Sequence, residues 1–232
     1  MKWQRVAVVG ATGGIGSALC NLLEEDGSTV HRFARRASSA EYRLDIEDEA
    51  SIQRAAEWCA GQGSVDLVFV ATGSLHGDGY GPEKDWRQLS GPSLERYFAV
   101  NAIGPALVAK HFLPLLSKAA PGGFAALSAR VGSISDNRLG GWYGYRAAKA
   151  ALNMIVKTAS IELSRKRSQA FCVALHPGTV DTDLSKPFQA NVTPDRLFSP
   201  RHSAVHVLDV LKRLTPADSG RCFDWRGDVV AP

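Results

Sequence analysis

The sequence predicts an α/β fold: a doubly wound parallel sheet with helices on both faces, formed by one domain over residues 1–232. Three observations predict it. Short valine-rich runs alternate with longer segments of helical periodicity along the whole chain. The first run ends in a cluster of glycines that opens a helix. No repeat, linker or low-complexity tract interrupts the alternation, and 232 residues can bury a sizeable core without disulfides or metal.

The elements follow in order. "RVAVVG" (5–10) reads as a buried parallel strand, because it is apolar, β-branched and closed by glycine. "GGIGSALCNLLEEDG" carries Ile15, Leu19, Leu22 and Leu23 at helical spacing and stops at Gly27. "STVHRFAR" is a second strand, and "DIEDEASIQRAAEWCAGQG" a helix that starts acidic and ends in glycines. "VDLVFVAT" is a third strand. A helix is expected over about 93–116, with Pro114 at its fraying end. Then come the strand "GGFAALSA", a helix over about 143–164, and the strand "QAFCVALHPG". Residues 182–200 are polar, proline-containing and weakly periodic, which predicts a loop or lid. A helix near 203–214 and a short strand at "RCFDW" close the chain.

Composition excludes several classes. The 27 basic and 23 acidic residues give a net charge of +4, spread along the chain apart from pairs such as Arg35-Arg36 and the triplet Arg165-Lys166-Arg167. No motif or aromatic interleaving supports nucleic-acid binding. Cys20, Cys59, Cys172 and Cys222 form neither a CxxC pair nor a zinc pattern, so no metal is expected, and packed free thiols fit Cys20 and Cys172. No signal peptide is read and no apolar run is expected to reach membrane-spanning length, so a cytoplasmic protein without a membrane partner is expected.

"VVGATGGIG" joins the first strand to the first helix. Gly10, Gly14 and Gly16 permit a tight turn, close backbone approach to a pyrophosphate and helix-on-strand packing, with the helix N-terminus facing the negative charge. Thr12 adds a hydroxyl, and Ile15 lies within the same loop-helix junction. Because Gly13 and Gly14 are adjacent, both GxxxGxG and GxxGxxG can be read, so the loop alone does not fix the type of dinucleotide fold. The second strand ends in "FARR" with no acidic residue to hold a ribose 2′-hydroxyl. Arg35 and Arg36 suit a 2′-phosphate instead, which favours NADP(H) over NAD(H).

Tyr145 and Lys149 are four apart, one helical turn from each other on one face, whereas Tyr143 lies well round the helix. A lysine ammonium is expected to lower the phenol pKa and make Tyr145 a proton donor and acceptor.

These features occur in company. "GATGGIG", "LDIED", "VATG", "NAIGP", "YGYRAAK" and "HPGTVDTDL" appear in that order, and on them the chain resembles the classical short-chain dehydrogenases/reductases over nearly its full length. "SARVGSISDN" through "GGWYGYRAAKAALN" and "LHPGTVDTDLSKPF" look like the C-factor and sniffer-like carbonyl reductases. The resemblance implies a Rossmann fold and an NADPH-dependent oxidoreductase that reduces an aldehyde or ketone. It implies Asp45 and Ile46 at the adenine, Ala71, Thr72 and Gly73 along the cofactor, and Asn101 in a proton relay to Lys149. It further implies Pro177, Gly178, Val180 and Thr182 at the nicotinamide, and a substrate loop over about 183–200. Asp45 could instead cap the helix after it. The C-factor likeness also keeps open a nucleotide-binding signalling protein with little turnover. Family resemblance suggests a homodimer through the helices holding Asn101 and Tyr145, and the sniffer-like branch a monomer.

One position departs from the family pattern. A serine pair is common at the end of the fifth strand, its second member polarising the substrate carbonyl, and here the pair is Ser128-Ala129. Distance back from Tyr145 selects Ser133 as the replacement, with Ser128 the other candidate.

Overall fold

The computed structural model describes residues 2–36, 42–118 and 121–232. Its strands are β1 (Arg5–Val9), β2 (Thr29–Ala34), β3 (Tyr42–Arg43), β4 (Leu67–Val70), β5 (Gly122–Leu127), β6 (Ala170–His176), β7 (Thr179–Val180), β8 (Leu197–Phe198) and β9 (Cys222–Asp224). Seven of them form one parallel sheet in the order β3-β2-β1-β4-β5-β6-β9, and β7 and β8 pair separately. The order runs outward from β1 to β3, then returns to the other side of β1 at β4. Such a reversal leaves a crevice at the carboxyl ends of β1 and β4, where an open α/β sheet takes its ligand.

The helices are α1 (Gly14–Glu25), α2 (Glu49–Gly61), α3 (Gly91–Phe98), α4 (Gly104–Phe112), α5 (Tyr143–Lys166) and α6 (Pro200–Arg213). Strand residues alternate between the two faces. Ala7, Val9, Val68, Val70, Phe124 and Cys172 pack with residues of α2, α4 and α5, including Ile52, Phe112 and Leu152. Val6, Val8, Phe69, Phe171 and Val173 pack on the other face with Leu19 and Leu23 of α1 and Val207 and Leu211 of α6. Full burial on both faces explains why these strands read as unbroken apolar runs rather than alternating ones. Burying each of the larger side chains contributes about 1.5–3 kcal/mol. All four cysteines are buried and free.

Four expectations change. The long helix over 93–116 is three pieces: α3 and α4 are joined by a π turn at Ala99–Ile103, and Leu113–Leu115 tightens into a 3₁₀ turn. Gly91–Leu115 as a whole, 25 residues, is long and apolar enough to cross a membrane, against the expectation that no run reaches that length. Its charges, Glu95, Arg96 and Lys110, sit toward the ends and leave Tyr97 to Ala109 uncharged. The apolar residues serve the core, where Val100, Val108 and Phe112 are buried. The expected loop over 182–200 contains 3₁₀ turns at Lys186–Phe188 and Pro194–Arg196 and then β8. Finally, α6 begins at Pro200 rather than near Ser203, because Ser199 accepts a hydrogen bond from the His202 N–H and Pro200 fits the first turn.

Candidate active site

A cleft of about 820 Å³ follows the crevice, lined among others by Gly10, Thr12, Gly13, Arg35, Asp45, Ile46, Ala71, Thr72 and Gly73. The glycine loop shapes its end. Gly10 adopts φ +87°, in the left-handed region that favours glycine, and a Cβ on Gly16 would overlap the Gly10 carbonyl oxygen. No side chain caps the start of α1 and no acidic residue occupies its first turn. Its first amide N–H groups therefore remain open to an anion. The exposed Arg35 lines the same cleft as the glycine loop.

Asp45 and Ile46 line the same cleft. Asp45 does not cap α2: its carboxylate accepts from the Glu47 N–H at 3.1 Å, and Asp48 is the cap, accepting from the Ala50 N–H. Thr182 packs its methyl against Gly14 and so brings the segment after β6 to the glycine loop. Gly178 turns with φ +81°, the Pro177 carbonyl accepts from Ser203 Oγ at 2.8 Å, and Val180 is buried in β7. Ile15 packs on the core of the α1 face.

Three separate elements meet at Gly73. A methyl group there would lie 3.6 Å from Asn101 Oδ1, 3.7 Å from Leu184 and 3.9 Å from Lys149 Nζ. Asn101 is fully buried in the π turn; its Nδ2 donates to the Ser74 and Tyr97 carbonyls and its Oδ1 accepts from the Ser74 N–H. A π turn widens the helix by one residue, here turning an amide side chain toward the cleft loop. Lys149 Nζ donates to the Leu127 carbonyl at 2.8 Å and stands 5.7 Å from the Tyr145 ring centre.

Burial governs the protonation of this pair. It pushes Tyr145 well above the ordinary phenol value. It lowers Lys149 from 10.5 to about 7, only partly opposed by Cys222. The sequence expectation that the lysine lowers the tyrosine is thus corrected. Desolvation, the one cause acting on Tyr145 and the largest on Lys149, disfavours the charged form of each. The neutral phenol is the form that gives up a proton.

Tyr145 stands in a small apolar cluster with Leu75, Tyr97 and Ala148, bordered by Ala129, Trp142, Leu184 and Phe188. Trp142 meets the Tyr145 ring edge-on at 6.2 Å and Phe188 at 5.2 Å. His76 meets Phe188 at 5.7 Å and hydrogen-bonds the Asp183 carbonyl at 3.0 Å, tying the loop after β4 to the expected substrate loop. Tyr143 opens α5 without joining this cluster.

The start of α5 is held from the side. Gly140, Gly141 and Trp142 have φ of +63°, +65° and +53°, and Trp142 is the one non-glycine residue with positive φ among the described residues. Glu83 secures this turn. Its carbonyl accepts from the Trp142 N–H at 2.5 Å, and its carboxylate, only 2% exposed, accepts from the Gly144 N–H at 3.2 Å. An anion at a helix N-terminus is favoured by the helix dipole.

Both candidate serines hydrogen-bond outside the tyrosine cluster. Ser128 is buried and its Oγ donates to Asn153 Oδ1 at 2.7 Å. Ser133 lies in the turn after Arg130–Gly132, where its Oγ accepts from the Asp136 N–H at 3.1 Å and is 3.5 Å from the Pro232 carbonyl. No hydrogen bond joins either to Tyr145 among the described residues. Ala129 and Val131 of this segment pack against the cluster that holds the tyrosine.

A family profile described as short chain dehydrogenase matches residues 4–193. The chain belongs to the short-chain dehydrogenase family. That places it among oxidoreductases and accords with the resemblance read from its motifs. The C-signal of Myxococcus xanthus is 40% identical over 138 residues, covering 59% of this chain and 77% of that protein. The 1-hydroxy-2-glutathionyl-2-methyl-3-butene dehydrogenase of Rhodococcus is 30% identical over 225 residues, 93% of this chain and 94% of that one. The NADPH-bound carbonyl reductase from chicken fatty liver superposes with a TM-score of 0.85 at 26% identity, over the whole of both chains.

Within this short-chain dehydrogenase, sequence reasoning missed Glu83, His76, Leu184 and Phe188. Leu184 and Phe188 close the quoted stretch "LHPGTVDTDLSKPF" without having been singled out, and Glu83 and His76 sit in no motif. Glu83 becomes meaningful only once the fold sets it beside α5.

Proposed function

We propose that the protein is an NADPH-dependent reductase of apolar aldehydes or ketones. The observation that carries this reading is a buried, neutral Tyr145 one helical turn from Lys149, at the junction of an apolar pocket and a dinucleotide-shaped cleft. Gly10, Thr12, Gly14, Ile15 and Gly16 would hold the pyrophosphate, Arg35 the 2′-phosphate, and Asp45 and Ile46 the adenine. Ala71, Thr72, Gly73, Pro177, Gly178, Val180 and Thr182 would flank the nicotinamide half. NADPH, when bound, supplies the hydride. Tyr145 then donates its proton to the carbonyl oxygen, Lys149 restores that proton and holds the ribose, and Asn101 fixes the helix turn and loop that position both.

The walls of the tyrosine cluster are aromatic and aliphatic, and they suit an apolar carbonyl compound over a sugar or an acid. The substrate loop over 183–200 contributes Leu184 and Phe188 to those walls. The experiment is oxidation of NADPH in the presence of apolar and charged aldehydes and ketones, followed by loss of reduced-nicotinamide absorbance. Turnover of the apolar set alone is expected. NADPH binding with no oxidation by any of them would overturn the reading.

Cofactor preference follows from Arg35. A charge-assisted contact to a 2′-phosphate is worth about tenfold in affinity at an exposed site. Arg35→Ser should therefore raise the Kd for NADPH about tenfold and leave NADH nearly unchanged. Equal losses for both cofactors would show that Arg35 acts on the fold rather than on the phosphate.

A specific observation favours a second reading, a nucleotide-binding signalling protein with little turnover. Ala129 stands where a carbonyl-binding serine is expected, and Ser128 and Ser133 are engaged elsewhere. Missing one such donor costs about 100-fold or more in rate. Ala129→Ser should then raise kcat about tenfold or more, while Ser133→Ala and Ser128→Ala change it less than about twofold. A large loss in Ser133→Ala would return that serine to the site.

A further inference from the structure

Two histidines outside the cleft remain unused by this chemistry. His202 and His206 lie one turn apart on α6, with their Nε2 atoms 3.1 Å from each other and ring centres 4.5 Å apart. The pair is built into an aromatic knot. Phe198 of β8 meets His202 at 4.8 Å and His206 at 6.0 Å, and Trp225, just after β9, meets His206 at 5.1 Å and Phe198 at 4.7 Å. Phe198 and Trp225 thus limit the rotation of His206 from below, while His202 is exposed and leaves the outer side to water.

We propose that His202 and His206 form a bidentate site for a divalent transition metal, with copper(II) the preferred ion. Imidazole nitrogens bind such ions at about 2.0–2.1 Å, so two nitrogens 3.1 Å apart subtend an angle of about 95–102° at a shared metal. That angle belongs to neighbouring positions of a square-planar or tetragonal ion, and a tetrahedral zinc site needs a wider bite. Copper(II) also leads the divalent series in intrinsic affinity for nitrogen ligands.

The charged surroundings permit it. Arg201 is paired with Glu25, and Lys212 with Asp26, each reaching away to α1. Arg213 donates to the Asp209 and Arg226 carbonyls, and Arg226 lies over the Trp225 ring at 4.6 Å. Asp209, exposed one turn beyond His206, lines the adjoining hollow and adds a negative potential. Among the described residues no group of three metal-ligating side chains converges, so the remaining coordination positions fall to water. Two protein ligands give an affinity in the micromolar range rather than a tightly held structural ion.

The test is titration of the untagged protein with copper(II) chloride in a non-chelating buffer, read by calorimetry, tryptophan fluorescence and electron paramagnetic resonance. One equivalent is expected to bind, with nitrogen hyperfine structure from two imidazoles and quenching that is strongly reduced in Trp225→Phe. His202→Ala, a surface change, should weaken binding at least 30-fold, and His206→Ala should do the same. Nickel(II) and zinc(II) should follow copper(II) in affinity. Unchanged stoichiometry and affinity in His202→Ala, or a preference for zinc(II), would overturn the site.

Discussion

Tyr145→Phe is expected to lower kcat at least about 1,000-fold while leaving the Kd for NADPH within about twofold, because general acid catalysis contributes factors of about 100 to 10,000. The fold should survive. The Tyr145 ring supplies the packing against Leu75, Tyr97 and Ala148, and phenylalanine keeps that ring. Trp142 and Tyr97 meet the ring edge-on at 6.2 and 6.3 Å, contacts that do not need the hydroxyl. The measurement is steady-state turnover on the best apolar carbonyl substrate alongside NADPH titration. Near-normal turnover in the variant would remove the tyrosine from the reaction.

Lys149→Met carries the second large effect, and its signature is a change with pH. In the fold Lys149 titrates near 7, against 10.5 when exposed. A base whose folded value is depressed binds its proton more weakly in the fold than in the unfolded chain. Between about pH 7 and 10.5 the unfolded state holds a proton that the folded state has released, so stability rises with pH through that window. Below about pH 7 both states are protonated and the penalty is constant. The stability of the native protein relative to Lys149→Met should therefore climb by up to about 1.4 kcal/mol per pH unit from pH 7.5 to 10, and stay level from pH 6 to 5. Denaturant unfolding of both proteins across that range measures it. A flat difference would mean that Lys149 keeps its charge in the fold. The same variant should lose turnover about 100-fold or more, since the residue that returns the proton to Tyr145 is gone.

Legibility in the sequence followed physical scale. Strands buried on both faces announce themselves by unbroken apolar runs, and β1, β4, β5 and β6 fall within the expected segments. The glycine loop was legible because backbone geometry there tolerates few residues. The two-residue strands β3, β7 and β8 were not, since so short a run has no period. The π turn at Asn101 leaves no mark either, because one extra residue in a helical turn hardly alters the apolar pattern. Tyr145 and Lys149 were found by local spacing along one helix. The serine was less legible for the opposite reason. Spacing back from Tyr145 counts residues, but the chain between Ser128 and Tyr145 passes through a 3₁₀ turn and a glycine turn that carry Ser133 toward Asp136 and Pro232. Tertiary partners such as Glu83 and Phe188 depend on contacts far apart in sequence, which no local pattern encodes.

The left-handed turn of Gly140, Gly141 and Trp142 acts as a reading frame for α5. A right-handed helix cannot grow backward through three residues of opposite hand, so α5 has one permitted first residue. Each residue of slip would rotate the helix by about 100° and carry Tyr145 and Lys149 together off the cleft. Insertions or deletions before Gly140 leave that frame intact, and a single one between Trp142 and Tyr145 shifts it. The surface stretch around Ile134 and Leu139, both largely exposed, is thereby free to vary in length and sequence without moving the residues that face the pocket.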